Sequence, residues 1–398
     1  MWRKIEEQFS SWLEGDSPKP LLILGAPYVG KSYSIRHFFE PDCEVDFSID
    51  SELANFFEKS LSPSDGLKRL CTHLNVSKDC LFFFKNIESA PAFMAQLPHF
   101  PKNTRIICTG KFLSIALKRQ FSDFPIACVD CLTMYPMDFE EFLIACGHEL
   151  LKDEIFSCFQ NGQPLYSGAH QQALRLYHDY LQVGGLPESV QNYIHASNQK
   201  IENFSTRILQ EIEARYLSDA HFWTTSHAES EKICRIYQSL PSQLTQTKSQ
   251  KFRYDLVEKK SNARKYASAL DWLLTTGLFH PCHRDASDQT RFYLLDTALL
   301  ALHLTDELVL AHNYIAQQLI SNFQSLSYWH SGNTAHLPFI LPDNTPLEIQ
   351  LSFSRRKSLT IYQSLYHPRQ SLQLSPQNFG SDETTNYIPL YAAWCIGR

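Results

Sequence analysis

Leu21-Leu-Ile-Leu24-Gly25-Ala-Pro-Tyr-Val-Gly30-Lys31-Ser32 is an apolar run followed by G-x-x-x-x-G-K-S. The pattern predicts a buried strand, a glycine-rich phosphate loop (P-loop) and a helix beginning near Ser32. Its logic is anion binding. Glycines let successive backbone N–H groups turn toward phosphate oxygens, and the start of the helix adds its positive end. Residues Gly25, Ala26, Pro27, Tyr28, Val29, Gly30, Lys31, Ser32 and Tyr33 form the expected nucleotide-binding set. Lys31 is expected to reach the β- and γ-phosphates, and the Ser32 hydroxyl to ligate a metal. ATP, with Mg²⁺ beside it, is the cofactor that such a loop fits. An ordinary glycine turn before a helix is the simpler alternative, and the strand–loop–helix setting argues against it.

Hydrolysis needs more than the loop. A later strand should end in an acid for the Mg²⁺ shell, followed by a Glu that orients water. The apolar run Cys80-Leu-Phe-Phe-Phe84 reads as that strand, yet Lys85-Asn86-Ile87-Glu88 follows it. A cation and an amide stand where two acids are expected. Lys85 is instead in a position to meet a phosphate directly. Glu88 lies beyond the strand end and needs a shifted loop to reach the site. Asp46, at the end of Cys43-Glu-Val-Asp-Phe47, is the alternative acid. No catalytic residue is therefore assigned.

The chain has 398 residues, enough for two to four domains, and 43% of them are hydrophobic. A net charge of −6 excludes a global basic field, so any nucleic-acid contact must come from a local patch. No apolar run approaches a membrane span. Met1-Trp-Arg-Lys-Ile-Glu-Glu leads into an amphipathic helix rather than a signal peptide, and a cytoplasmic location without membrane partners is expected. Eleven cysteines lie scattered and read as small buried hydrophobes. Cys128 and Cys131 form the one close pair, in a strand-like stretch Ile126–Thr133.

Residues 1–147 read as a doubly wound α/β domain on a parallel sheet, with strands at Leu21–Leu24, Glu44–Phe47, Leu81–Phe84, Arg105–Thr109 and Ile126–Thr133. Residues 148–226 read as helical, with Gly184-Gly185-Leu186-Pro187 starting a new helix. In 227–303, helices lead to two strands, Leu278–Arg284 and Arg291–Leu295, around the polar turn 285–288. Helices followed by a hairpin suggest a winged helix. Seven cations between Lys248 and Lys265 face only Asp255 and Glu258 there. Lys259, Lys260, Arg264 and Lys265 are the expected phosphate contacts for DNA, on and just before a helix Ala263–Thr276. A solvated helix face is the plainer alternative. Residues 304–398 read as a helix at His312–Phe323, then strands at Ser327–Ser331, Leu337–Leu341, Pro346–Leu351, Ser371–Leu374 and Tyr387–Ala393. The two central ones should pair across the short Pro342–Thr345 connection.

Several stretches in this order resemble the bacterial and archaeal AAA-family ATP-binding proteins that carry a C-terminal domain of unknown function. They are Lys19–Gly25, Met134-Tyr-Pro-Met-Asp-Phe-Glu-Glu-Phe-Leu143, Tyr180-Leu-Gln-Val-Gly-Gly-Leu-Pro-Glu188, Leu240-Pro-Ser-Gln-Leu244, Ala269–Leu273, Phe292-Tyr-Leu-Leu-Asp296 and Tyr328–Ser331. The resemblance implies a P-loop core, a winged helix and a terminal PD-(D/E)XK nuclease-like fold over 304–398. It also marks departures at the chemistry. Lys85-Asn86 replaces Asp-Glu, and Thr109-Gly110-Lys111 replaces Thr-Gly-Ser. In the terminal fold Pro338 stands for an Asp and Gln350 for a Lys, leaving Glu348. One carboxylate is too little charge for a reluctantly dehydrating cation, so nuclease chemistry is not expected. Three readings follow: a nucleotide-binding regulatory or scaffold protein with weak or no turnover, an ATPase using Asp46 or Glu88, and a DNA-binding winged-helix module.

Overall fold

Alternating apolar runs and helical stretches build the first part of the chain as expected. The computed structural model describes residues 1–398 except 16–18, 61, 102–103, 197–198, 225, 247–250, 285–288, 324, 332–334 and 353–356. It divides into one unit over Trp2–Tyr135 and another over Pro136–Arg398, with Met1 grouped in the second. The first unit holds strands β1 (Leu21–Leu24), β2 (Cys43–Asp46), β3 (Phe82–Lys85), β4 (Ile106–Thr109) and β5 (Asp130–Thr133). Its helices are α1 (Ile5–Leu13), α2 (Lys31–Phe39), α3 (Ser51–Glu58), α4 (Pro63–Leu74), α5 (Pro91–Gln96) and α6 (Leu113–Arg119). The sheet order is β2-β3-β4-β1-β5, and every pairing is parallel. This is the α/β fold of a P-loop NTPase core. β1 lies between β4 and β5, so its C-terminal end opens directly into the phosphate loop.

The phenylalanine run of β3 has a packing reason. Phe84 stacks on Phe47 with ring centroids 5.6 Å apart and meets Phe93 at 4.5 Å. Each such ring buries a large apolar area and locks its neighbours by shape. The stretch Ile126–Thr133 is not one strand. Ile126–Cys128 forms a 3-10 turn, and β5 starts only at Asp130. The edge strand β5 alternates half-buried and exposed residues, and both Cys128 and Cys131 are exposed. They depart from the expected burial of the cysteines, six of which are buried.

The second unit begins with helices α7 (Phe139–Ala145), α8 (Glu149–Asn161), α9 (Ser167–Val183), α10 (Pro187–His195), α11 (Arg207–Trp223), α12 (His227–Leu244), α13 (Tyr254–Val257) and α14 (Ala263–Thr275). The hairpin β6 (Phe279–Arg284) and β7 (Thr290–Leu294) follows, then α15 (Thr297–Ala301) and α16 (Glu307–Phe323). The chain ends with β8 (Leu326–Ser331), β9 (Ala335–Ile340), β10 (Pro346–Ile349), α17 (Lys357–Tyr366), β11 (Ser371–Ser375), β12 (Gly380–Ser381) and β13 (Thr385–Pro389). The expected turn 285–288 lies outside the described residues. β9 and β10 pair antiparallel, with Ile340 opposite Pro346. β6 also pairs in parallel with β8, so the hairpin and the C-terminal strands share one eight-stranded sheet.

Two features of this unit depart from the sequence expectation. α17, between β10 and β11, has no counterpart in it. The last strand ends at Pro389, and Leu390–Cys395 is a fully buried 3-10 segment rather than strand. A short apolar run reads alike as strand or buried helix, and proline lacks the N–H that a ladder needs.

A buried polar junction explains two of the quoted motifs. Asp296 has no exposed surface, and its carboxylate accepts the Gly185 N–H at 2.6 Å and the Ala298 N–H at 2.9 Å. The Gln317 amide approaches it, and the Gln317 carbonyl accepts the Thr297 N–H and hydroxyl at 3.0 Å each. Gly185 must be glycine, because a Cβ there would lie 2.0 Å from the Met137 carbonyl oxygen. One carboxylate thus joins the end of α9 to the starts of α10 and α15. Among the described residues, no helix is long and apolar enough to cross a membrane.

Burial raises the Asp296 carboxyl to about 6, even though four donors oppose the shift. A raised carboxyl binds its proton more tightly in the native state than in the unfolded chain. The stability this group contributes is therefore full below its ordinary range near 4 and is lost as pH rises through about 6. Denaturant unfolding of wild type and Asp296→Asn between pH 4 and 7 should show the wild type losing up to about 1.4 kcal/mol per pH unit relative to the variant. Parallel profiles would show that this carboxylate is ionised at no net cost.

Candidate nucleotide-binding site

β1 delivers Gly25 at φ 122°, where a side chain would strike the Met134 carbonyl oxygen at 2.1 Å. The loop then passes through Tyr28 at φ 65° and Gly30 at φ 98° before α2 starts at Lys31. The amides of the first turn of a helix have no partner inside the helix, so Lys31, Ser32 and Tyr33 open it with donors facing the loop. Ala26, Pro27 and Val29 are buried and fix the loop from behind. Arg3, which no motif singles out, is buried as well. It donates to the Val29 carbonyl at 2.8 Å and to the Tyr135 carbonyl at 2.7 Å. No motif spacing could have signalled it, since the contact spans 132 residues.

The Lys31 ammonium, 7% exposed, donates to the carbonyls of Gly25 at 2.7 Å and Ala26 at 2.8 Å. Burial lowers it to about 8, and the Glu88 charge works against that shift. A buried cation at the base of the loop fits an incoming phosphate well. Tyr33 is half exposed and stacks on His37 at 5.7 Å, at the outer side of the same turn of α2. Lys111 lies over the Tyr28 ring, 5.2 Å from its centre.

Glu88 reaches this region by the loop shift that its position demanded. Asn86 adopts a left-handed φ of 50°, and a 3-10 turn over Ile87–Ser89 carries Glu88 inward. Its carboxylate is 5% exposed and accepts the Phe112 N–H at 2.9 Å. Burial raises its pKa, against backbone donors and Lys31. It sits against Gly110, where a Cβ would lie 1.8 Å from Oε2. The Thr109-Gly110 pair therefore makes room for Glu88.

Lys85 does not face the loop as expected. Its ammonium sits 2.8 Å from Asp46 Oδ2 and 3.3 Å from Glu44 Oε1, both on β2. Asp46 also accepts from Asn86 at 2.8 Å and Ser48 at 2.7 Å. Burial alone would raise Asp46, but Lys85, Ser48 and Asn86 together hold it well below the usual range. Glu44 is held in turn by two bonds from Arg36, at 2.5 and 2.7 Å. The alternative acid is thus bound to a cation. Among the described residues, no cluster of three acids, histidines or cysteines could hold a metal.

The remaining expected site residues lie in the second unit. Lys259, Lys260, Arg264 and Lys265 are all exposed around the start of α14. Lys265 donates to Glu258 at 2.6 and 2.7 Å, and Arg253 pairs with Asp255, which removes part of the expected positive charge. Lys248 is outside the described residues. At the C-terminal end, Gln350 donates to Glu348 at 3.1 Å, and Gln373 to Gln350 at 3.1 Å. Asp343 accepts from Thr345 within the β9–β10 turn.

Residues 17–143 match the family described as AAA domain, and residues 174–307 match a domain of unknown function. A comparison with curated proteins finds no match. Among solved structures, the Walker-type ATPase PABY2304 of Pyrococcus abyssi is 14% identical, over 75% of this chain and 94% of that one, with a TM-score of 0.48. The ORC2 protein of Aeropyrum pernix is 11% identical over 79% and 93%, with a TM-score of 0.40. The ORC1 protein of Aeropyrum pernix, solved in complex with DNA, is 11% identical over 80% and 92%, at 0.28. The match over 17–143 to the AAA domain agrees with the parallel sheet and the phosphate loop at the end of its β1, and together they place this part of the chain in the P-loop NTPase fold.

Proposed function

We propose that this chain is an ATP-binding regulatory or scaffold protein with little or no turnover. The observation that carries this reading is the ion pair of Lys85 with Asp46. The acid that could have replaced the missing strand-end carboxylate is neutralised by the residue that took its place. Bound nucleotide would meet Lys31 and the backbone amides of Gly30–Tyr33. Mg²⁺, when present, would supply charge to the phosphates and be held by Ser32. Glu88 is the acid that acts on Lys31; its Oε1 accepts the Phe112 N–H beyond Gly110, and its Oε2 is buried with no hydrogen-bond partner among the described residues. In that position it ties the state of Lys31 to the turn between β4 and α6. It does not stand open to a water.

ATP or ADP at millimolar concentration should raise the melting temperature of the full chain, since a ligand selective for the native state stabilises it by mass action. Lys31→Ala should remove most of that rise, and the rise should depend little on Mg²⁺. Phosphate release by the same sample should stay far below the range of about 1–10³ per second typical of enzymes. Turnover inside that range would overturn the reading and favour Glu88 as the working acid, which Glu88→Gln would then abolish.

A second reading concerns nucleic acid, and one observation favours it. Lys259, Lys260 and Arg264 are exposed together at the start of α14 and make no ion pair among the described residues. With α12–α14 leading into the β6–β7 hairpin, this surface suits phosphate contacts of a winged helix. The shared sheet of Glu348 and Gln350 is read as a nuclease-like segment that has lost its metal chemistry. Duplex DNA should bind weakly and with strong salt dependence. Changing Lys259, Lys260 and Arg264 to Glu should abolish retention at low salt. Wild type that is not retained under those conditions would leave the cations as a solvated face.

A further inference from the structure

The second unit forms a partly open pocket of about 230 Å³ between the end of α12, the start of α16 and strands β7 and β9. That exceeds the roughly 150 Å³ that accommodates a benzene ring in an apolar protein cavity. Phe252, Phe292 and Val309 supply an apolar wall. Arg291, His312, His336 and Lys251 bring a cluster of nitrogen groups to the same space.

Arg291 carries the argument. Its guanidinium is always charged and offers five donors in a planar fork. One hydrogen bond occupies it, to the Tyr293 hydroxyl at 3.1 Å, and the Tyr328 ring lies 5.3 Å away. Among the described residues no carboxylate pairs with it. The acid on the cavity wall, Asp306, accepts the backbone N–H groups of Leu308 and Val309 at 3.0 and 3.1 Å. Enclosed charges are normally paired, because removing an ion from water costs several kcal/mol. A second observation points the same way. Among the described residues His336 Nε2 is buried without a hydrogen-bond partner, on a residue that lines the same cavity. Burial, with the Arg291 charge, holds His312 near 3 and His336 near 4, so both imidazoles are neutral donors or acceptors there.

We propose that this cavity binds a small organic anion, a carboxylate or phosphate head on a compact apolar body. Arg291 pairs with the head, His336 hydrogen-bonds it, and the Phe252–Phe292 wall takes the body. The fork geometry of arginine suits either head in two parallel bonds.

Calorimetric titration of the full chain with benzoate, phenyl phosphate and neutral benzyl alcohol tests this. At least one of the two anions should bind with a Kd at or below about 1 mM, and benzyl alcohol should bind more weakly by tenfold or more. Benzoate alone identifies a carboxylate site and phenyl phosphate alone a phosphate site. Lys31→Ala should leave the binding unchanged, which separates this cavity from the phosphate loop. Arg291→Met should abolish it. Arg291→Lys keeps the charge and should fold in any case, yet should bind at least tenfold more weakly for want of the planar fork. Absence of binding by either anion up to about 10 mM, equal binding of the neutral probe, or binding that survives in Arg291→Lys unchanged would overturn the proposal.

Discussion

A Cβ on Gly25 would lie 2.1 Å from the carbonyl oxygen of Met134, so the phosphate loop exists only where a glycine lets two backbones meet. Everything at the nucleotide site follows from that approach. It fixes the exit of β1 against the end of β5, and the loop must turn within the next few residues to start α2. Arg3 then closes the loop from behind by taking the carbonyls of Val29 and Tyr135. The second unit uses the same device for itself, with Gly185 against the carbonyl of Met137. The quoted stretch Met134–Leu143 is thus constrained by backbone contacts at Met134 and Met137, each inside its own unit. Its residues serve packing and capping, as in the Asp138–Glu141 capping box that starts α7.

Electrostatics then decides what the loop can do. Register places Asp46 directly beside Lys85 on adjacent strands. A carboxylate next to an ammonium at 2.8 Å gains most when it stays ionised and paired. Such an acid is poorly disposed to release the cation and take up a metal. Glu88 has the opposite surroundings: burial raises it, and backbone N–H groups and Lys31 hold it down. The two acids near the nucleotide site are therefore unlike in exposure, partner and readiness to move, and neither resembles an open, solvated general base.

How much of this was legible in the sequence depended on whether a feature is local. Leu21–Ser32 encodes its own geometry, because glycine spacing and an apolar strand are backbone requirements. Helix α10 was legible for the same reason, from Gly184-Gly185-Leu186-Pro187. The strand register that binds Lys85 to Asp46 is set by pairing between residues 39 positions apart in sequence and leaves no local trace. The left-handed turn at Asn86 was invisible too, although asparagine tolerates that conformation better than most residues. Leu390–Cys395 misled because its burial is complete, which erases the periodicity that separates strand from helix. α17 was missed because its apolar residues are split between buried Leu359 and Tyr362 and exposed Leu365 and Tyr366, which blurs the helical face.

Two charges in the second unit show what a settled site and an unsettled one look like. Asp296 has its charge met from several sides, by Gly185, Ala298, Leu299 and Gln317, and it still pays for burial with a raised pKa. Its surroundings are complete, and its role is to hold three helix ends together. Arg291 is partly exposed, and has one phenol and one aromatic face around a fork of five donors. It cannot lose its proton to relieve the burial, as a carboxyl or imidazole can. A folded chain that kept such a group against a cavity, with a histidine nitrogen also lacking a partner there, has a local charge imbalance that its own described side chains do not correct. The imbalance has one sign, and that sign is the basis for assigning the pocket an anion.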